Sequence, residues 1–152
     1  AYEDQVELVY PVHLSPVVQE AAHSHLDGLE NVHLVEPLTA DEMHNLMARS
    51  YMVMTDSGGL QEEAPALGKP VLVLRRETER PEAVAAGTVR IAGTEGAAIF
   101  NMACELIDSP AAYAVMAHAV NPYGDGKACR RIADGILYHF GRTDWMPETF
   151  RN

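Results

Sequence analysis

Apolar and β-branched residues fall in short runs along this chain, and between the runs lie stretches with helical periodicity. Residues 6–10 read as a strand. Ser15 and Pro16 then open a helix, with Ser as N-cap and Pro in the first turn, and Gly28 ends it. Val32–Val35 is the next strand. Thr39-Ala40-Asp41-Glu42 has the spacing of a capping box and launches a helix towards Arg49. Residues 51–55 predict a third strand, Asp56-Ser57-Gly58-Gly59 a turn, and residues 60–67 a short helix stopped by Gly68. The run 70–74 is the most apolar and suits a strand buried on both faces. A charged loop from Arg75 to Arg80 follows, then a short helix from Pro81 to Gly87 and a fifth strand over 88–92. Three helices complete the pattern: 95–107, 110–119 (capped by Ser109) and 126–137. Strands alternating with helices predict βαβ units, hence an α/β fold, Rossmann-like, three layers around a parallel sheet.

The far end departs from this pattern. Tyr138, Phe140, Trp145, Met146 and Phe150 crowd a tail beyond the last helix. One expectation is that the tail packs on its own domain. The other is that it packs on a partner domain.

Composition narrows the function. The chain has 152 residues, 47% apolar and 22% charged, which is ordinary for a globular domain. Its net charge of −11 argues against a nucleic-acid-binding surface. A phosphate ligand remains compatible, because a few arginines and backbone N–H groups make a local positive pocket on an acidic protein. No apolar run approaches the roughly 20 residues of a membrane-spanning helix. No leader pattern opens the chain, which starts on Ala1 and not on Met. Two cysteines, Cys104 and Cys129, make no disulfide framework, so a cytoplasmic location is expected.

Candidate chemistry gathers where strands end. Asp56-Ser57-Gly58-Gly59 lies at the carboxyl end of a strand and at the start of a helix, where open α/β sheets bind ligands. Two glycines allow close approach to the backbone, the helix's first N–H groups favour an anion, and Ser57 adds a hydroxyl. This spacing reads as a phosphate or diphosphate site, or simply as a tight turn. It matches neither a Walker loop nor Gly-x-Gly-x-x-Gly, which disfavours P-loop NTPases and nicotinamide dehydrogenases. Glu62 and Glu63 are routine dipole partners near a helix start, or one of them accepts hydrogen bonds from ribose hydroxyls. The three arginines of residues 75–80 either face phosphates or balance Glu77, Glu79 and Glu82 in a solvated loop. His13, at the end of the first strand, is a loop histidine or a ligand contact. His23 and His25 do not share a helix face, and no Cys/His cluster has zinc-site spacing. Ser57 has no obvious triad partners.

Several ordered segments together resemble one family. They are Tyr10-Pro11-Val12-His13-Leu14, the run Thr55-Asp56-Ser57-Gly58-Gly59-Leu60-Gln61-Glu62-Glu63-Ala64-Pro65, and Gly68-Lys69-Pro70-Val71-Leu72-Val73-Leu74-Arg75. Thr78-Glu79-Arg80-Pro81-Glu82-Ala83 and Asn121-Pro122-Tyr123-Gly124-Asp125-Gly126 complete the set. Over residues 6–137 the chain resembles the bacterial non-hydrolysing UDP-N-acetylglucosamine 2-epimerases. The resemblance implies a glycosyltransferase-B architecture, two Rossmann-like domains with a cleft between them. This chain corresponds to the carboxyl-terminal one, with residues 1–137 as the UDP-binding domain and 138–152 as a tail expected to pack on the amino-terminal domain.

The implied reaction interconverts UDP-GlcNAc and UDP-ManNAc for cell-surface polysaccharides, by elimination and re-addition of UDP, with no cofactor and no metal. The implied roles are residue by residue. Ser57, Gly58 and Gly59 hold the diphosphate, Glu63 binds the ribose, Arg80 belongs to the UDP site and Met43 lies by the uracil, where the family usually has an aromatic residue. His13 touches a second, regulatory UDP-GlcNAc. The family's catalytic carboxylates lie on the amino-terminal domain, and a His-Arg-Arg-Glu segment falls upstream of Ala1. No catalytic residue is therefore expected in this chain, which is expected to bind UDP weakly and not to epimerise alone. The whole enzyme is expected to be a homodimer, without nucleic-acid or membrane partners. A non-catalytic UDP-sugar-binding module, or a hydrolysing epimerase or related glycosyltransferase, are the alternatives. If the tail folds back on its own domain, that speaks against a missing partner for it.

Overall fold

The computed structural model describes residues 2–150. Two compact units divide the chain, Ala1–Asn45 and Leu46–Asn152.

The first unit holds β1 (Leu8–Pro11), α1 (Pro16–Leu26), β2 (Val32–Val35) and the start of α2 (Ala40–Arg49). β1 and β2 pair in parallel, with Leu8 beside Val32 and Tyr10 beside Leu34. Asn31 extends the ladder, its side-chain amide donating to the Val6 carbonyl at 2.9 Å and its carbonyl accepting from the Leu8 N–H. The capping box forms as expected. Glu42 accepts from the Thr39 N–H and hydroxyl, both at 2.8 Å, and the Glu42 N–H donates back to Thr39 Oγ1 at 3.4 Å. Ser15 behaves otherwise. It stands at the N-cap of α1, but its side chain makes no capping bond, and its N–H donates to His13 Nδ1 instead. The helix start is stabilised by Pro16, whose missing N–H needs no partner there.

The second unit holds β3 (Val53–Thr55), α3 (Gly58–Ala66), β4 (Val71–Val73), α4 (Pro81–Ala86) and β5 (Val89–Ile91). α5 (Gly96–Asp108), α6 (Pro110–Ala117) and α7 (Ala128–His139) complete it. The sheet order is β3-β4-β5, all parallel, with Val53, Val71 and Val89 in one row. Every residue of β4 is fully buried, as a central strand's apolar run requires. Its Leu72 packs in a core with Ala92, Leu106 and Met116. Gly87, at φ +80°, takes the left-handed cap conformation that a side chain disfavours and ends α4. Ser109 caps α6 by accepting the Ala112 N–H at 3.2 Å. Tyr51 and Tyr113 stack at 4.2 Å, and the Tyr51 hydroxyl donates to the Leu106 carbonyl, which ties the approach to β3 onto α5.

These parallel sheets with flanking helices are the expected Rossmann-like α/β arrangement. The strands form two ladders where the sequence pattern predicts a single sheet. A doubly wound sheet is joined at its switch point by a strand paired on both sides. No described strand pairs with both ladders.

The tail lies along α7. The Phe150 ring sits 5.6 Å from the Arg131 guanidinium carbon, and Pro147 approaches Gly135. Helix α7 nonetheless buries none of its own residues, and Ile132, Ile136, Phe140, Trp145 and Met146 are all more than half exposed.

Replacing Leu72 by alanine deletes fully buried methyl groups at the middle of β4. Urea unfolding of the variant should show a loss of about 2–5 kcal/mol. Val115→Ala, on the exposed side of α6, should change stability by less than about 0.5 kcal/mol.

Candidate anion site at the start of α3

Strand β3 ends at Thr55, and α3 begins three residues later. The buried Thr55 side chain makes that short passage possible, its Oγ1 accepting the Ser57 N–H at 3.0 Å. The chain is thereby turned out of the sheet and into the helix. Gly58 and Gly59 are not a separate turn, as the sequence pattern predicts, but the first residues of α3. Neither has a positive φ. Their use is the missing Cβ. A side chain at Gly58 would collide with the Glu79 carboxylate and approach Arg80 Nη2 to 3.9 Å. At Gly59 it would stand 3.5 Å from Glu63 Oε1 and 3.9 Å from Ser57 Oγ. Ser57, Gly58, Gly59, Glu63 and Arg80 thus meet at one place, the amino end of α3.

That place suits an anion. The first N–H groups of a helix have no partner within it and carry partial positive charge. Ser57 occupies the N-cap position without capping, so its hydroxyl is not committed to the helix. Arg80 brings a full positive charge. Its Nε donates to a Glu62 carboxylate oxygen, and its Nη1 donates weakly to the Glu79 carbonyl at 3.4 Å. The Glu62 hydrogen bond raises the Arg80 pKa further, so the guanidinium stays charged at any working pH. The Glu79 carboxylate, held by Arg75 at 2.7 Å, lies against Gly58. Its own backbone N–H, with Arg75 and Arg80, holds its carboxyl below the usual range against the opposing effect of burial. A negative group of the protein's own therefore stands at the helix amino end.

The other arginines are solvated pairs. Arg75 serves Glu79, and Arg76 lies 3.7 Å from Glu95 with both side chains 81% exposed, too open to define a site. Glu62, one of two candidates for a ribose contact, is engaged by Arg80.

His13 and Met43 belong to the first unit. His13 follows β1 and is exposed. Its Nδ1 accepts the Ser15 N–H at 3.1 Å, so in the neutral ring the proton sits on Nε2. Met43 is half-buried near the start of α2, one residue after the capping box.

Two residues at this site, Gln61 and Tyr123, are not singled out by the sequence pattern. Gln61 is fully buried in α3 and bonded to Ser57 and Thr78. A polar residue on the buried face of a helix signals a satisfied network, and that was the available clue. Tyr123 comes from the Asn121–Gly126 turn, which an Asn121 side-chain bond to the Tyr123 N–H closes at 3.1 Å. Burial, and then the Glu82 carboxylate, push its phenol up to about 12, and Glu62 and Arg80 also act on it. The turn thus reaches the Arg80–Glu62 pair. Among the described residues, no group of three or more His, Cys, Asp or Glu could hold a metal ion.

The family model for UDP-N-acetylglucosamine 2-epimerase matches residues 1–137. The chain belongs to that family. The UDP-N-acetylglucosamine 2-epimerase of Bacillus subtilis is 54% identical over 149 residues, covering 98% of this chain and 39% of the relative. An S. aureus MnaA–UDP co-structure superposes with a TM-score of 0.91 at 45% identity, over 97% of this chain and 40% of that one. The Neisseria meningitidis UDP-GlcNAc 2-epimerase bound to UDP-GlcNAc gives 0.79 at 48% identity, over 87% and 36%. The chain therefore spans about two fifths of the length of these relatives.

The Asn121–Gly126 turn is pinned by charge. Asp125 accepts from both Nη atoms of Arg131, at 2.7 and 2.8 Å, and from the Lys127 N–H at 3.1 Å. The Arg131 hydrogen bonds, then that from Lys127, hold its carboxyl far below the ordinary 3.8. A depressed carboxyl contributes stability above its unfolded value and loses it as pH falls towards the folded one. Asp125→Asn should therefore be less stable than wild type at pH 7, and its stability should fall less steeply below about pH 4. Thermal melts of both proteins across that range check this, and parallel curves would contradict it.

Proposed function

We propose that this chain is the UDP-binding part of an enzyme that interconverts UDP-GlcNAc and UDP-ManNAc. The observation that carries the reading is the convergence at the α3 amino end of Arg80 Nη2, beside Gly58, and the Ser57 hydroxyl, beside Gly59. Its relatives support it, one of them solved with UDP and another with UDP-GlcNAc.

In this reading the diphosphate lies on the N–H groups of Gly58 and Gly59 and on Ser57 Oγ, replacing the Glu79 carboxylate. Arg80 faces its oxygens. Glu63, beside Gly59, accepts from the ribose hydroxyls. Met43 packs on the uracil, and His13 contacts a second, regulatory UDP-GlcNAc. The reaction removes the C2 proton and breaks the bond from C1 to the phosphate oxygen, which leaves with the electron pair. UDP then returns after a proton has reached the other face of C2. Charge grows on the β-phosphate as the bond breaks. Fixed donors aimed at that oxygen lower the barrier because they need no reorganisation. Arg80, kept cationic by Glu62, and the α3 dipole are such groups.

The proton-transferring carboxylates are assigned to the remainder of the longer protein, so this chain binds without turning over. Residues 1–137 form the UDP-binding domain. The tail does lie along α7, which favours a self-packed segment. The apolar area that α7 and the tail still expose carries the complementary reading, that this face packs on the remaining part of the enzyme. The whole protein is read as a cytoplasmic bacterial homodimer serving cell-surface polysaccharide synthesis, with no cofactor. No helix among the described residues is long and apolar enough to cross a membrane.

Calorimetry of the chain with UDP and with uridine tests the site. UDP should bind more tightly than uridine, and Arg80→Ala should weaken UDP roughly tenfold or more, the loss of a charge-assisted hydrogen bond of about 1.5–3 kcal/mol. No heat at millimolar UDP, or equal affinity in the variant, would overturn the reading. A coupled assay for UDP-ManNAc should stay at background; clear turnover would place catalytic groups in this chain.

A further inference from the structure

We infer that Gln61 and Thr78 are positioning residues, a hydrogen-bonded relay that holds Arg80 in register with the Ser57 turn. The inference rests on the diphosphate reading above and names what sets the distance between its two halves.

Those halves come from separate segments. Ser57–Gly59 follows β3, whereas Arg80 ends the charged loop that follows β4. Chain continuity alone does not fix their separation, because Arg76, Glu77 and Glu79 of the connecting loop are exposed. The relay does. The Arg80 N–H donates to Thr78 Oγ1 at 3.1 Å. The Thr78 hydroxyl donates to Gln61 Oε1 at 2.5 Å. Gln61 Nε2 donates to the Ser57 carbonyl at 3.2 Å. The Ser57 N–H in turn donates to the buried Thr55 Oγ1. Four bonds thus run from Arg80 to the last residue of β3.

The chemistry allows only this polarity. The Ser57 carbonyl accepts and never donates, so the Gln61 amide must present its nitrogen there and its oxygen to Thr78. Thr78 Oγ1, already accepting from a backbone N–H, still has its own proton to give. Each link pairs one donor with one acceptor, and such a chain is cooperative in a water-poor setting. Gln61 is 0% exposed. Burying an amide costs free energy unless both its ends are bonded, so each end of Gln61 enforces the other.

Arg80 also has Glu62 on its Nε, but that bond fixes the guanidinium relative to α3 and leaves the backbone of the loop free. The relay acts on the backbone. Its loss would let residue 80 drift from Ser57 while the ion pair persists, so the donors would no longer meet one diphosphate together. Displacements of about an ångström are enough to weaken such a constellation.

Thr78→Val removes the hydroxyl at nearly constant shape, and Thr78→Ser keeps it. Gln61→Met breaks the relay at its other end. Each variant of this chain is titrated with UDP and with uridine, and its fold is checked by thermal melting. Thr78→Val and Gln61→Met should lose about fivefold to tenfold in UDP affinity, the equivalent of one hydrogen bond, with uridine unchanged and Thr78→Ser close to wild type. In an Arg80→Ala background, Thr78→Val should cost nothing further. Amide hydrogen exchange at Arg80 should quicken in Thr78→Val and be restored in Thr78→Ser, which gives a readout should Gln61→Met fold poorly. Wild-type UDP affinity in Thr78→Val overturns the positioning role alone, as does an equal loss for UDP and uridine, or an undiminished loss without Arg80. A wild-type chain silent towards UDP overturns the diphosphate reading, and the positioning role with it.

Discussion

A helix that starts three residues after the end of a parallel strand carries its unpaired N–H groups to the sheet's carboxyl edge. In this protein α3 starts in that way after β3. The passage is short because the Thr55 hydroxyl takes the Ser57 N–H, and it is stable because β4 beside it is fully buried. The charge at that edge is a consequence of geometry, not of the overall composition, which is strongly acidic. An acidic protein thus brings Arg80 and a helix amino end together at one edge. The Glu79 carboxylate lies against Gly58 at that edge.

Much else follows from keeping that edge open and rigid together. Gly58 and Gly59 keep it open by lacking Cβ atoms, at the modest cost of glycine in a helix's first turn. Rigidity comes from side chains below the surface. Gln61 and Thr78 tie the loop after β4 to the turn after β3, and Glu62 orients the Arg80 guanidinium. The Asn121–Gly126 turn contributes the buried Tyr123 hydroxyl, and Arg131 pins that turn through Asp125. The site is therefore assembled from separate stretches of one unit, with the loop after β4 hydrogen-bonded to α3 through Thr78 and Gln61.

The strand-helix alternation and the Gly-Gly segment were plain in the sequence, because apolar run length and glycine placement are local signals. The capping box at Thr39 and the Ser109 cap formed as their spacing required. Three features were not legible. Gly58 and Gly59 look like a turn in isolation, yet both open α3, and the group that a side chain at Gly58 would meet is Glu79, 21 residues away in sequence. Ser15 stands at the N-cap of α1, yet its side chain makes no capping bond, which spacing does not reveal. The two ladders appear as one alternating pattern along the chain, because pairing partners are set by tertiary neighbours and not by the run of valines. Gln61 and Tyr123 escaped notice for a related reason. A single polar residue in an apolar stretch declares its purpose only when its partners are seen.

The account stands on the claim that the amino end of α3 receives a nucleotide's diphosphate. A crystal of this chain grown with UDP tests it most directly. The account predicts phosphate oxygens within hydrogen-bond distance of the Gly58 or Gly59 N–H and of Ser57 Oγ, with Arg80 Nη2 facing them and the Glu79 carboxylate swung aside. Diphosphate density elsewhere on the chain, with Glu79 still against Gly58, would contradict it.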